Sequence, residues 1–246
     1  KYPNKFPLLI KYLDVNDRLS IQVHPSDEVA LKKHNEFGKS ESWYIMEASD
    51  DATLIMGMKP GITKEKFLEK VEKNDFDGLF EEKTVKKGDF IDITPGTVHA
   101  SLKGSVLFAE VQQNSDVTYR IYDFDRIDEN GKKRELHLQD SADVIDFGKE
   151  VEIKNTDFDD SENGKDILRK HIIKKEYYSI DKVKFTDSFE DVNNESMTIY
   201  SILEGEGKIV WGENEELSIK KGETVLIPVG INTKTIGNFE ILRTVI

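Results

Sequence analysis

Val85-Lys86-Lys87-Gly88-Asp89 returns further along the chain as Ile219-Lys220-Lys221-Gly222-Glu223. Each copy leads into a short apolar run and then a Pro/Gly corner, Pro95-Gly96 in the first and Pro228-Val229-Gly230 in the second. Turn residues bounding short apolar runs read as strand, corner and return strand, so one β unit has been made twice. The copies differ at one chemical position: eleven residues after Gly88 stands His99, and eleven after Gly222 stands Thr233. Two halves with the same β logic are expected, one of which keeps an imidazole beyond its corner.

The surrounding pattern agrees with a mainly β chain. Strands are predicted over residues 6–13 and 19–24, over the pair 41–46 and 52–58, and within 84–98 and 106–122. Ser26 is an N-cap candidate for a short helix ending near Gly38, with Asp27 and Glu28 in its first turn. Phe67, Leu68, Val71 and Leu79 keep helical spacing, which predicts a helix over 63–80 opening at Thr63. A short helix is expected at 142–145, and residues 177–246 read as closely spaced strands. The acidic, polar stretch 146–166 marks the boundary, giving a domain at 1–150 and a second at 151–246.

Composition narrows the function classes. With 35 basic and 48 acidic residues the net charge is -13, which argues against a nucleic-acid or anionic-membrane partner. The chain has no Cys, hence no disulfide framework and no thiolate ligand or nucleophile. No apolar run approaches transmembrane length and no signal segment opens the chain, so cytoplasm is the default expectation. The first residue is Lys1 rather than Met, and an N-terminal piece is expected to be missing.

Four positions offer metal ligands. Gln22 and His24 alternate on one strand face, and Glu41 and His99 add a carboxylate and a second imidazole. Nitrogen and oxygen donors without thiolate suit zinc and some other first-row metals. Taken singly, Gln-x-His on a strand is usually polar surface. Glu110, Gln112, Asn114, Asp116, Thr118 and Arg120 share parity, so an unbroken strand would carry a continuously polar face, unless Asn114-Ser115 makes a turn. His34 reads as a cation at a helix C-terminus, and His137 and His171 as surface or packing residues. Trp43 and Tyr44 alternate, so one of them should face the core.

The repeat resembles the cupin pattern, and the first half resembles type I mannose-6-phosphate isomerase more specifically. Ser20-Ile21-Gln22-Val23-His24-Pro25, Gly38-Lys39-Ser40-Glu41, Pro95-Gly96-Thr97-Val98-His99 and Gln112-Gln113-Asn114-Ser115-Asp116-Val117-Thr118-Tyr119-Arg120 occur in that family's order. Tyr122-Asp123-Phe124-Asp125-Arg126 matches its short bacterial form. The resemblance is strong over residues 6–145 and weaker beyond. It implies two cupin-like jelly-roll β-sandwich halves with a few short helices, the first binding metal and the second without ligands.

By the same resemblance Gln22, His24, Glu41 and His99 are ligands to one Zn2+ per chain. Arg120, Lys39, Asp116 and Glu110 are the catalytic candidates, and Arg126 and Ser20 lie near the substrate phosphate. The implied reaction interconverts mannose 6-phosphate and fructose 6-phosphate through a cis-enediol. Its partner is a small phosphosugar, with no nucleic acid or membrane, in a monomer or weak homo-oligomer. Family members open with a segment containing Trp-Gly-Gly that has no match here. The competing readings are a cupin that binds metal and sugar phosphate without turnover, and another metal-cupin enzyme such as an oxygenase.

Overall fold

Short alternating strands dominate the chain, with three short helices among the described residues. The computed structural model describes residues 5–127, 129–159, 165–193 and 195–246. It divides into two compact units, Lys1–Asn155 and Thr156–Ile246.

The first unit holds two five-stranded sheets. One contains, in spatial order, β1 (Leu8–Val15), β8 (Val106–Gln113), β3 (Glu41–Ala48), β6 (Asp89–Ile93) and β10 (Ile153–Asn155). The other runs β5 (Phe80–Thr84), β4 (Thr53–Met58), β7 (His99–Lys103), β2 (Ile21–Val23) and β9 (Tyr119–Tyr122). Trp43, Ile45, Ile91, Ile93 and Phe108 of the first sheet pack with Leu54 and Met56 of the second. Each such side chain contributes about 1.5–3 kcal/mol by leaving water. Ile21, Val23, Tyr119 and Ile121 belong to a separate cluster, which α2 (Lys64–Glu72) and α3 (Leu138–Val144) cover with Phe67, Val71 and Ala142. No helix among the described residues is long and apolar enough to cross a membrane.

Several local expectations change in the folded chain. The helix expected over 63–80 stops at Glu72, because Asn74 takes a left-handed backbone (φ 53°) and Phe80 begins β5. Thr63 does cap it, accepting from the Lys66 amide at 3.3 Å. The polar face expected from Glu110 to Arg120 is interrupted: β8 ends at Gln113, and the Ser115 amide turns back onto the Gln113 carbonyl at 2.8 Å. Trp43 and Tyr44 are both buried, since β3 is an interior strand covered on each face. Ile153–Asn155 pairs with β6 as a short strand within the acidic, polar stretch 146–166.

The second unit repeats the first unit's pairing scheme in one continuous seven-stranded sheet. Its strands are β11 (Ile167–Lys174), β12 (Ser179–Phe185), β13 (Ser188–Asp191), β14 (Thr198–Trp211), β15 (Glu215–Lys220), β16 (Thr224–Ile227) and β17 (Thr233–Val245). β14 does the work of β3 and β4 in one strand, and β17 that of β7 and β8. Thus Tyr200 faces Arg243 as Trp43 faces Glu110, and Asp191 faces Thr233 as Gln22 faces His99. The repeated Lys-Lys-Gly turns match bond for bond. The Gly88 amide donates to Ile45 and the Gly222 amide to Ile202, with φ of 88° and 85°. Asp89 and Glu223 each accept from a lysine amide at 2.9 Å.

Candidate metal centre

Strand pairing places the donors before any side chain is considered. Gln22 lies directly opposite His99 on β7 and opposite Arg120 on β9, so all three share one face of the second sheet. In the first sheet Glu41 lies opposite Gln112, and Trp43 opposite Glu110, on the face toward the same interior. The Trp43 and His99 rings meet edge to face at 5.5 Å, fixing the separation of the sheets at this point. Helix α1 (Asp27–His34) and its exit loop deliver Lys39. A Cβ at Gly38 would meet the Asp27 amide nitrogen at 2.4 Å, so only glycine lets that loop lie against the helix start.

His24, Glu41 and His99 converge into one buried group whose candidate ligand atoms all lie within 4.8 Å of one another. Nε2 of His24 stands 3.4 Å from Glu41 Oε1, and Nε2 of His99 stands 3.4 Å from Glu41 Oε2. Metal–ligand bonds of about 2.0–2.1 Å at tetrahedral angles separate neighbouring donors by about 3.3–3.4 Å. Both Nδ1 atoms are committed elsewhere, His24 to the Val117 carbonyl at 3.1 Å and His99 to the Thr97 carbonyl at 3.0 Å. Such bonds make Nδ1 the protonated nitrogen and turn the Nε2 lone pairs inward. Nε2 of His24 is buried with no hydrogen-bond partner, as an atom built to ligate would be.

Gln22 borders the cage. Its amide nitrogen stands 3.2 Å from His99 Nε2, while its oxygen accepts from Ser20 Oγ at 3.3 Å. Turning the amide over exchanges two atoms of equal shape and brings the oxygen to the cage. The residues present therefore fit a divalent metal held by two imidazoles, a carboxylate and an amide oxygen.

The electrostatics suit that ligand set. Burial pushes the His24 imidazole below its ordinary range and the His99 imidazole down to about 4 despite Glu41 beside them. Both rings are thus neutral donors at neutral pH. Burial alone would raise the Glu41 carboxyl, yet His24, Lys39 and His99 together hold it well below the usual carboxylate range. The Lys39 ammonium, itself buried, approaches Glu41 Oε1 at 3.1 Å. Glu110 is displaced the other way, upward, by burial and by the Glu41 charge, with Lys11 only partly opposing. Its carboxylate accepts from Lys11 Nζ and from Trp43 Nε1, each at 2.8 Å.

The remaining expected site residues divide. Arg120 is half-buried, and its Nη1 donates to the Glu135 carbonyl at 3.0 Å. Burial and the neighbouring Arg134 and Arg126 lower its pKa. Arg126 is held by Asp123, its Nη2 reaching Oδ1 at 2.5 Å, and its Nη1 donates to the Arg18 carbonyl at 2.9 Å. Ser20 touches Gln22 rather than a basic cluster. Asp116 was expected to share Arg120's strand face but lies exposed on the loop at 114–118, because the turn at Ser115 breaks the parity that linked them.

The sequence assigns no site role to Lys11, Trp43, Asp123 or His137, the last of which reads as a surface or packing residue. A lone lysine within the apolar run Leu8-Leu9-Ile10-Lys11-Tyr12-Leu13 was the available signal for the first. Nothing local marks His137. Its ring nitrogen accepts from the Arg120 amide only because the chain folds back there.

Known proteins resemble this chain. The family model for the cupin domain of mannose-6-phosphate isomerase matches residues 168–246, and that for the catalytic domain of type I phosphomannose isomerase matches residues 1–55. The mannose-6-phosphate isomerase ManA of Bacillus subtilis is 40% identical over 229 residues, covering 93% of this chain and 71% of the relative. The mannose-6-phosphate isomerase of Streptococcus mutans is 35% identical over 240 residues, covering 97% of this chain and 74% of its own length. A crystal structure of the mannose 6-phosphate isomerase from Bacillus subtilis superposes with a TM-score of 0.86 at 34% identity. It covers 98% of this chain and 76% of that one.

Proposed function

This chain belongs to the type I mannose-6-phosphate isomerase family, and on that footing we propose that the cage of His24, Glu41 and His99 is its catalytic metal centre, where mannose 6-phosphate and fructose 6-phosphate interconvert. What supports the assignment is convergence: two inward-turned imidazoles and a carboxylate spaced for one ion, with Arg120 on the sheet row of Gln22 and His99. A divalent ion bound by these groups supplies positive charge that polarises the sugar's C1 and C2 oxygens, and zinc, one per chain, suits the donors.

The protein groups around it have separate tasks. Lys39 holds Glu41 in place and offsets its charge. Glu110 carries the upward-shifted carboxyl that proton transfer near neutrality requires. It takes the proton from C2 of the aldose and returns one at C1, while a proton passes from O2 to O1, through a cis-enediol. Arg120 is the cation assigned to the negative charge that develops on the enediolate oxygens. Arg126 is the cation assigned to the phosphate, and Ser20 orients the Gln22 amide.

Metal content and a coupled isomerase assay, run before chelation, after it and after zinc is restored, test the proposal. Turnover that disappears with the metal and returns with zinc is expected. One metal per chain with no turnover in any state would leave a binding module instead. Bound iron with oxygen uptake would point to another class of metal-cupin enzyme.

A further inference from the structure

We infer that His137 is a positioning residue for Arg120, setting the register and direction of the strand that carries the guanidinium. The inference rests on the role proposed above for Arg120. His137 precedes α3, and the chain lies back against β9 just before that helix starts. Two bonds from this one residue grip the Arg120 peptide. The His137 amide donates to the Arg120 carbonyl at 2.7 Å, and His137 Nδ1 accepts from the Arg120 amide at 3.2 Å. Two residues earlier, the Glu135 carbonyl accepts from Arg120 Nη1 at 3.0 Å. Backbone and side chain of Arg120 are thus held by the same short segment.

That grip stands in for a missing strand. Among the described residues β9 is an edge strand whose ladder partner is β2, with no strand on its outer side. Asp123 fixes the other end of the arrangement. It is 4% exposed and accepts from Nε of Arg134 at 2.7 Å and from Nε of Arg126 at 3.1 Å, which ties the segment leading to Glu135 back to the end of β9. The Arg120 Nε is buried with no hydrogen-bond partner, so the direction of the guanidinium depends on the grip at Nη1 and at the backbone. An arginine meant to meet charge that exists only in the transition state gains from being held beforehand.

The side-chain acceptor is the testable part. Asparagine places its Oδ1 where histidine places Nδ1 and can accept from the same amide, whereas leucine fills the space without accepting. His137→Leu is expected to lower kcat roughly 10- to 100-fold with KM little changed, as misplacement of a reacting group does. His137→Asn is expected to recover most of that loss, with metal content equal in all three proteins. In an Arg120→Ala background, His137→Leu should produce no further fall. Independently of turnover, the Arg120 Nε–H resonance should shift or broaden in His137→Leu and return in His137→Asn.

An unchanged Arg120 resonance in His137→Leu would overturn the inference, and so would an equal loss of kcat with or without Arg120. If the resonance responds but Arg120→Ala retains full turnover, the positioning stands and the catalytic role of Arg120 is what fails. Should His137→Leu prove unstable, the comparison of His137→Asn with His137→Gln keeps the test, because the glutamine carbonyl lies one bond too far out.

Discussion

Glu41 ties the cage together, since its carboxylate meets His24, His99 and Lys39 at once. Removing its charge strips the cage of its anion and strands a buried ammonium. Breaking a buried pair from one side costs about 3–5 kcal/mol. Glu41→Gln is therefore expected to lower Tm as well as metal content, both read on the same preparation. Arg120→Ala should act differently, keeping the metal and the melting temperature while kcat falls about 10²–10³-fold, the scale of losing one transition-state donor. Loss of metal in Arg120→Ala would place this arginine in the structural support of the cage. His24 and His99 were recognisable as residue types in the sequence. Their tautomers were not, because the carbonyls of Val117 and Thr97 that set them belong to backbone brought alongside by folding.

Among the elements, the strands with clear alternation formed close to where periodicity put them, while the long runs were subdivided. The run over 84–98 became a turn, β6 and a corner, and that over 106–122 became β8, a loop and β9. The break within 106–122 follows from backbone bonds to distant segments, such as Gln113 to Ser40 and Asn114 to Pro7, which no local window contains. The segment after β9 shows the same dependence. Arg126 and Arg134 hold the Asp123 carboxyl below its usual range even though burial alone would raise it. A carboxyl depressed in the folded state stabilises above its unfolded pKa of about 3.9, and that stability is lost as pH falls through the folded value. Asp123→Asn should accordingly lower Tm at neutral pH, and the gap from the parent should close as pH falls from about 5 toward 3. A gap that stays constant or widens on acidification would show that the ion pairs do not stabilise this segment.

For the molecule as a whole, the duplication is informative in what fills the second interior. At the positions of Gln22, His24, Glu41 and His99 the second unit carries Asp191, Asn193, Thr198 and Thr233, placed by the same pairings. Asn193 even repeats the His24 backbone bond, its carbonyl accepting from Gly230 as that of His24 accepts from Gly96. In place of the cage, Asp191 accepts from Arg243 Nε at 2.5 Å and from the Tyr200 hydroxyl at 2.6 Å. Arg243 stands where Glu110 stands in the first unit, and Asp181 where Lys11 does, so the charges of that pair are exchanged. We expect Arg243→Ala to cost about 3–5 kcal/mol, because it leaves the buried Asp191 carboxylate without its cation. Metal content per folded chain should not change, which chemical denaturation combined with metal analysis would check. If metal binding falls with Arg243, the two units are not independent.

Residue order alone makes this a duplicated, mainly β chain of the isomerase family, because alternation, turn chemistry and ordered motifs are local properties. It also supplies the imidazoles and the carboxylate as candidates. Tertiary structure decides the rest: which way each Nε2 points, that Lys39 serves Glu41, that Asp116 leaves the face of Arg120, and that His137 grips the strand beside it. Those outcomes depend on cross-strand register and on the capture of one segment's backbone by another. Both are set by contacts between residues far apart in sequence, where no local pattern records them.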